Sequence, residues 1–205
     1  MTVRHLALAV TGASGAIYGL RVAEELLRGG DRVSMLITRA GFAVLKEECG
    51  LDWERSGAGV LDELRAHFQY QGTGLFFYAD NDLHSPIASG SSAPDAMIVA
   101  PCSMGTLSRI SCGNSANLLE RAADVMLKEG RPLVLVPRET PLNAIHLENM
   151  LKLARLGVRI VPAMPAFYQH PESKSDMVDF VVGKILDSVG VEHKLFKRWG
   201  KPKTP

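Results

Sequence analysis

Short apolar runs recur along the chain, and segments with a helical spacing of apolar residues lie between them. The runs are nearly continuous in hydrophobicity, which is typical of strands that are buried on both faces of a parallel sheet. The predicted strands are residues 5–10, 32–38, 96–101, 132–136 and 158–161. Apolar stripes predict helices over residues 16–28, 118–128, 144–156 and 177–189.

This alternation predicts an α/β fold: an open, doubly wound, mainly parallel sheet with helices on both faces, of the Rossmann or flavodoxin-like type. Gly30, Gly130 and Gly157 follow predicted helices at the position of a C-cap glycine. Residues 50–94 interrupt the alternation with a short helix at 61–67, a strand candidate at 74–78 and a small-residue loop at 88–94.

We found no shift in composition that divides the chain. We therefore expect a single domain over residues 1–192, followed by a C-terminal extension over residues 193–205.

The bulk composition narrows the class of protein. A net charge of +1 over 205 residues lacks the basic excess of nucleic-acid-binding proteins. Three cysteines without a C-x-x-C pair favour a reduced, cytoplasmic protein over a disulfide framework or a zinc site. No apolar stretch has the length of a membrane span, and the N-terminus lacks the pattern of a signal peptide. We expect no membrane association and no metal.

A glycine-rich turn, TGASG at residues 11–15, joins the first strand to the first helix. Free backbone N–H groups at a helix start suit a phosphate, and Gly12 and Gly15 let the backbone approach it. The Ser14 hydroxyl either caps the helix or donates to a ligand. The spacing matches neither the dinucleotide fingerprint nor the ATP-binding P-loop, so it predicts another kind of anion site. The alternative is a tight turn without a ligand.

A second turn, PCSMGTLS at residues 101–108, again offers hydroxyls and N–H groups after an apolar strand. A flavin fits between two such turns, whereas the plain alternative is a serine N-cap of an ordinary helix. We interpret Cys102 as a small buried apolar residue rather than a nucleophile.

Arg138 and Glu139 follow the strand at 132–136. A guanidinium binds phosphate through a forked contact, and a neighbouring carboxyl group can move a proton to it. A surface ion pair is the alternative.

Other charged and aromatic residues have both a functional and a structural interpretation. Arg121 and Lys128 share a helix face and form either a cationic patch or a solvated stripe. Glu48 lies near a helix C-terminus, where a carboxylate opposes the helix dipole. Tyr168 and Lys184 are candidates for contacts with a phosphate. The structural alternatives are a packed aromatic ring for Tyr168 and a solvated side chain for Lys184.

Taken together, these blocks resemble the flavin prenyltransferases, the UbiX family. The resemblance covers nearly the whole chain and rests on VTGASGAIYGLR (10–21), SGSSAPDAMIVAPCSMGTLS (89–108), NLLERAADVMLKEGRPLVLVPRETPL (117–142) and IHLENMLKL (145–153). It implies that the chain joins the dimethylallyl group of dimethylallyl phosphate to N5 and C6 of reduced FMN without a metal. The product is prenylated FMN, the cofactor of UbiD-type decarboxylases, including that of ubiquinone biosynthesis. The resemblance also implies a homo-oligomer, typically a dodecamer.

The resemblance assigns roles to individual positions. The implied FMN-binding residues are Gly12, Ala13, Ser14, Thr38, Ser103, Met104, Gly105, Thr106 and Arg138. The implied residues for the prenyl phosphate are Arg121, Lys128, Tyr168, Lys184 and Trp199, the last as an aromatic residue that helps to close the site. The implied catalytic residues are Ser14, Glu48 and Glu139.

Two other classes of flavoprotein remain open at this stage. One is an FMN-dependent cysteine decarboxylase, although residues 101–106 lack the Asn of the Pro-Ala-Ser-Ala-Asn-Thr loop of those enzymes. The other is a non-catalytic flavin carrier, in which the second set of cationic residues would have no purpose.

Overall fold

The computed structural model describes residues 3–55 and 59–198. Its sheet contains six strands: β1 (His5–Val10), β2 (Arg32–Ile37), β3 (Leu75–Tyr78), β4 (Ala96–Cys102), β5 (Leu133–Pro137) and β6 (Arg159–Ile160). Every neighbouring pair is parallel, and the order is β3-β2-β1-β4-β5-β6. The predicted doubly wound parallel sheet is therefore confirmed.

Helices cover both faces of this sheet. Those in the described residues are α1 (Ala16–Arg28), α2 (Arg39–Cys49), α3 (Val60–His67), α4 (Met104–Ser111), α5 (Leu118–Lys128), α6 (Ala144–Arg155) and α7 (Lys174–Ser188). Buried residues of α1, α2, α3 and α7 join one core cluster, and those of α4, α5 and α6 join the other. Gly30, Gly130 and Gly157 have positive φ values of 82°, 64° and 86°, as expected of glycines that end helices.

Side chains of β1 point alternately to the two faces of the sheet, and both faces are buried, so every residue of the strand from Leu6 to Val10 is apolar. Leu6, Leu8 and Val10 contribute to the core under α1 and α7, while Ala7 and Ala9 face the opposite cluster under α4 and α5. All five are fully buried. Each buried leucine or valine contributes about 1.5–3 kcal/mol to folding, so a polar residue on either face is costly.

Two helices begin earlier than their apolar stripes predict. The apolar spacing before Glu47 and Glu48 predicts a helix that begins near Phe42. Helix α2 instead starts at Arg39, because the Thr38 hydroxyl accepts a hydrogen bond from a first-turn N–H group. Helix α7 starts at Lys174, where Ser173 and Asp176 form a reciprocal capping box. The first turns, residues 39–41 and 174–176, contain no large apolar side chain, so the stripe alone misses them.

The chain reverses its winding direction between β1 and β4. From β1 it proceeds through α1 to β2 on one side, and from β4 it proceeds through α4 and α5 to β5 on the other. In open α/β sheets, a crevice for ligands forms at this point, outside the carboxyl ends of the strands.

The C-terminal segment packs on α7 of its own chain. The His193 ring is buried and hydrogen-bonds Asp187, which also accepts from Arg198 at 2.7 Å. A Cβ atom on Gly183 would lie 2.4 Å from the Phe196 ring, so the segment approaches the helix backbone closely. The proposed domain boundary after residue 192 stays a prediction.

No helix among residues 3–55 and 59–198 combines the length and the apolar character that a membrane crossing requires.

Candidate active site

A buried threonine joins the two turns at the crevice. The Thr11 hydroxyl donates to the Pro101 carbonyl at 2.8 Å and accepts from the backbone N–H of Ser103 at 2.8 Å. Thr11 is only 1% exposed. The turn after β1 and the turn after β4 are therefore held in fixed register. Sequence reasoning missed Thr11 because its partners lie about ninety residues away.

The start of α1 is occupied by a carboxylate of the protein. Glu48 Oε2 accepts from the backbone N–H groups of Gly15 at 2.8 Å and Ala16 at 3.1 Å. The Ser14 hydroxyl also hydrogen-bonds Glu48 and does not cap the helix. The expectation that the first N–H groups of α1 are free for a phosphate is therefore wrong for Gly15 and Ala16. Their N–H groups already bind the carboxylate of Glu48, which lies on α2.

The pKa of Glu48 follows from this position. Partial burial pushes it upward, but the hydrogen bonds from Ser14, Gly15 and Ala16 and the charge of Arg138 outweigh burial and hold the pKa below its usual range. Glu48 is therefore an ionised acceptor at neutral pH. Its unfavourable place near the C-terminus of α2 is offset by the positive end of α1.

Close backbone packing brings α2 to these turns. A Cβ atom on Gly12 would lie 2.5 Å from the Cβ of Ala40, and one on Gly41 would lie 2.5 Å from the Val10 carbonyl oxygen. Both glycines are required by this approach rather than by a special backbone angle. The half-buried Thr38 thereby lies at the carboxyl end of β2, beside the end of β1.

The turn after β4 forms a capped helix start. Ser103 accepts from the backbone N–H of Thr106 at 3.2 Å and donates to the Thr106 hydroxyl at 3.0 Å. Met104 is buried, whereas Gly105 is exposed and offers bare backbone at the rim. Cys102 is fully buried, which raises its pKa to about 12, so it stays a thiol as predicted.

Arg138 reaches back from the end of β5 to the first turn. Its Nε donates to the Ser14 carbonyl oxygen at 3.4 Å, which groups Arg138 with Ser14 and Glu48. Glu139 is exposed, and its carboxylate accepts from the backbone N–H of Thr140 at 2.9 Å.

Tyr168 and Lys184 belong to one aromatic cluster. The Tyr168 ring packs edge-on against Phe180 with 5.8 Å between centroids, and Phe180 lies 5.2 Å from Phe196. The Lys184 ammonium lies 5.9 Å from the centre of the Phe196 ring. A cavity of about 480 Å³ adjoins this cluster and is lined by Met164, Phe180 and Lys184 among others.

The two cations of α5 lie elsewhere in the chain. Arg121 donates to the Ala88 carbonyl at 3.1 Å and pairs with Asp124, and Lys128 pairs with Glu129. Within the part of the chain that the structure describes, their contacts do not bring them to Tyr168 or Lys184. Trp199 lies outside the described residues.

A network that the sequence did not reveal lies behind the second turn. Arg109 pairs with the buried Glu120 and donates from Nη2 to the Thr106 hydroxyl at 3.2 Å. Glu120 is 1% exposed and also accepts from the backbone N–H of Ala116 at 3.0 Å. Because Arg109 and Glu120 are eleven residues apart on two helices, no local pattern pairs them.

Across residues 3–55 and 59–198, no group of three or more His, Cys, Asp or Glu side chains is arranged to hold a metal ion.

Comparison with known proteins identifies the family. The Flavoprotein family model matches residues 1–187. The flavin prenyltransferase UbiX of Halalkalibacterium halodurans is 55% identical over 193 residues, which cover 94% of this chain and 91% of that protein.

Solved structures agree with this match. A crystal structure of AnUbiX in complex with FMN and dimethylallyl pyrophosphate superposes with a TM-score of 0.85 and 38% identity, covering 98% of this chain and 100% of that one. A dodecameric FMN-dependent UbiX-like decarboxylase from Escherichia coli O157:H7 gives a TM-score of 0.83 and 40% identity, covering 96% and 100%. The chain therefore belongs to the UbiX family of flavin prenyltransferases.

Proposed function

We propose that this chain transfers the dimethylallyl group of dimethylallyl phosphate to N5 and C6 of reduced FMN, which releases phosphate and yields prenylated FMN. Membership of the family supports this reaction, as does the relative that binds both FMN and a dimethylallyl donor. The cysteine decarboxylase alternative is disfavoured by the missing Asn in residues 101–106.

One observation in the structure carries the proposal. After β6 the chain runs beside β5, with the Ala163 N–H donating to the Pro137 carbonyl at 3.1 Å. The segment that contains Tyr168 therefore leaves the sheet next to Arg138, at the edge where the turns after β1 and β4 meet. The flavin-type set of polar groups and Tyr168 of the second, phosphate-type set thus lie at one edge, and Lys184 lies in the aromatic cluster of Tyr168, Phe180 and Phe196.

The residues at this edge fit FMN. Hydroxyl groups of Ser14, Thr38 and Ser103 follow β1, β2 and β4, and the Arg138 guanidinium follows β5. Hydroxyls suit the ribityl chain, and a guanidinium suits a phosphate or a ring carbonyl. Gly12 and Gly105 are exposed, so a flat ring can approach their backbone. Ala13, Met104 and Thr106 complete the proposed FMN-binding set.

When bound, reduced FMN supplies the nucleophilic atoms. Breaking the allylic C–O bond places negative charge on the departing phosphate, which Lys184, Tyr168 and Arg138 stabilise. The rings of Phe180 and Phe196 provide an apolar surround that tolerates positive charge on the prenyl group. Trp199 is proposed to help close this site.

Three side chains are proposed to handle protons. Glu139 moves a proton at the departing phosphate. Ser14 and the ionised Glu48, which are hydrogen-bonded to each other, together serve proton transfer at the flavin during ring closure.

The test is an anaerobic incubation of the purified protein with reduced FMN and dimethylallyl phosphate, followed by mass spectrometry of the extracted flavin. The proposal predicts a flavin heavier by one dimethylallyl group less one hydrogen atom. Unmodified FMN, with both compounds shown to bind, would leave a flavin carrier as the function.

We further propose a homo-oligomer, with a dodecamer as the expected form. Helix α6 has a single fully buried residue, Leu153, while Ile145, Leu147 and Leu151 are 65%, 52% and 50% exposed. Leu147 and Leu151 are four residues apart and share one face of the helix, whereas Ile145 points away from them, and exposed apolar side chains of this kind favour a contact surface. In such an assembly Arg121 and Lys128 of one copy are proposed to face the prenyl phosphate site of another. Light scattering after size-exclusion chromatography measures the number of subunits.

The destination of the product is the last part of the proposal. We propose that a UbiD-type decarboxylase in the cytoplasm receives prenylated FMN, either in ubiquinone biosynthesis or in the decarboxylation of other aromatic acids. Reconstitution of an inactive UbiD-type apoenzyme by the product of this chain tests the transfer.

A further inference from the structure

We propose that Arg109 is a positioning residue for flavin binding, which acts by holding the Thr106 hydroxyl as a hydrogen-bond donor to FMN. The inference rests on the proposed function. Arg109 is not among the site residues that the motifs indicate, and the role is inferred from its contacts.

The hydrogen bonds around Thr106 fix the direction of its hydroxyl. Thr106 Oγ1 accepts from Ser103 Oγ at 3.0 Å and from Arg109 Nη2 at 3.2 Å. A hydroxyl has two acceptor lone pairs and one proton, so both lone pairs are used and the proton remains for a ligand. Without the Arg109 bond, the hydroxyl would be free to rotate and accept instead.

The position of Arg109 is itself fixed from behind. Its Nε bonds Glu120, a carboxylate that is 1% exposed and also accepts from the Ala116 N–H at 3.0 Å. Nη1 lies 3.4 Å from the place where a Cβ atom on Gly105 would be. The guanidinium therefore spans from a buried anion to the rim of the second turn, which a lysine ammonium cannot do.

Burial makes this donor matter. Thr106 is 2% exposed while the adjacent Gly105 is exposed. A ligand that covers Gly105 lies beside a threonine that water barely reaches. When the Thr106 hydroxyl points its proton at an acceptor atom of FMN, it forms a hydrogen bond in a site with little water. When the hydroxyl is turned the other way, its oxygen lone pair faces the lone pair of the flavin acceptor, which is repulsive.

The test is a double-mutant cycle on FMN affinity, measured by quenching of flavin fluorescence, with the visible spectrum of the bound flavin as second readout. Thr106→Val and Arg109→Lys are each expected to weaken FMN binding by about tenfold, the size of one lost hydrogen bond. Because Arg109 acts through Thr106, the double variant is expected to match Thr106→Val alone. Thr106→Ser is expected to restore affinity.

Controls separate positioning from loss of fold. Arg131→Lys makes the same substitution in an exposed ion pair with Asp95 and is expected to leave FMN binding unchanged. Where Arg109→Lys does not fold, Glu120→Gln weakens the hold on the same guanidinium by removing the partner's charge, and takes its place in the cycle.

Additive losses in the double variant, or wild-type affinity in Thr106→Val, would overturn the inference. Failure of the wild-type protein to bind FMN or to form the prenylated product would instead reject the proposed function.

Discussion

Glu48 Oε2 and the backbone N–H of Gly15 are joined by a 2.8 Å hydrogen bond that links the C-terminal turn of α2 to the first turn of α1. The carboxylate stabilises a helix start that a bound phosphate would otherwise occupy. Its partner Ser14 is thereby held at the mouth of the crevice, with Arg138 beside it. The N–H groups of Gly15 and Ala16 are therefore already bonded within the chain.

Glu48→Gln is expected to lower the free energy of unfolding by about 1 kcal/mol at neutral pH, because a neutral amide interacts weakly with the helix dipole. Denaturant unfolding measures this loss. Glu47→Gln is the matched control, since Glu47 is an exposed neighbour. Equal stability of the two variants would contradict the assigned role of Glu48.

The same contact predicts a pH dependence. The pKa of Glu48 is lower in the folded protein than its ordinary value of 4.5, so its contribution to stability is complete above that value. The contribution is lost as the pH falls through the folded-state pKa. Stability of the wild type should therefore fall more steeply below about pH 4.5 than that of Glu48→Gln. Parallel curves of unfolding free energy against pH for the two proteins would show that the ionised form of Glu48 does not stabilise the fold.

Thr11→Val is expected to cost about 1–3 kcal/mol of unfolding free energy, because the Ser103 N–H and the Pro101 carbonyl lose a buried partner. FMN affinity should fall as well, since the two turns lose their common register. Thr11→Ser keeps the hydroxyl and is the control. Urea unfolding and flavin titration check the prediction. Equal unfolding free energy and equal FMN affinity in Thr11→Val and Thr11→Ser would contradict it.

Lys184→Met is expected to raise the KM for dimethylallyl phosphate by roughly tenfold to a hundredfold, the size of one charge-assisted hydrogen bond. FMN affinity should stay unchanged, because Lys184 belongs to the aromatic cluster of Tyr168 and Phe196. Lys184→Arg retains the charge and is the control. Steady-state kinetics with saturating FMN provide the measurement. An unchanged KM would remove Lys184 from the phosphate site.

Glu139→Gln is expected to slow prenyl transfer while FMN binds as before, because the amide cannot exchange a proton with the departing phosphate. Single-turnover mixing of the preformed flavin complex with dimethylallyl phosphate isolates this step. A wild-type rate would exclude Glu139 from proton transfer.

Much of the fold follows from local sequence. The bounds of β1, α1 and α5 match the predicted ranges, because an apolar run or stripe ends there at a glycine or a polar cap. Each of the other strands differs from its predicted range by one residue at one or both ends. The starts of α2 and α7 escaped the prediction because Thr38 and Ser173 cap first turns that contain no large apolar side chain.

Non-local contacts in the site could not be predicted in this way. The resemblance marked Ser14 and Glu48, yet only the folded chain shows a carboxylate 33 residues away at the start of α1. Thr11 bonds to the turn after β4, and Arg109 is held by Glu120 on α5, so neither contact carries a local sequence signal. Arg121 and Lys128 share a helix face as expected, but that face contacts residues near Ala88 rather than the loop of Tyr168.

The central claim is that one sheet edge holds FMN on the turns after β1 and β4 and the prenyl phosphate on the Tyr168–Lys184 cluster. A crystal structure of the assembled protein with FMN and dimethylallyl phosphate tests it most directly. The account predicts the phosphate group within hydrogen-bond distance of Lys184 and Tyr168, with the prenyl chain against the flavin ring. A phosphate bound away from both residues, or a flavin seated away from Ser14 and Ser103, would contradict it.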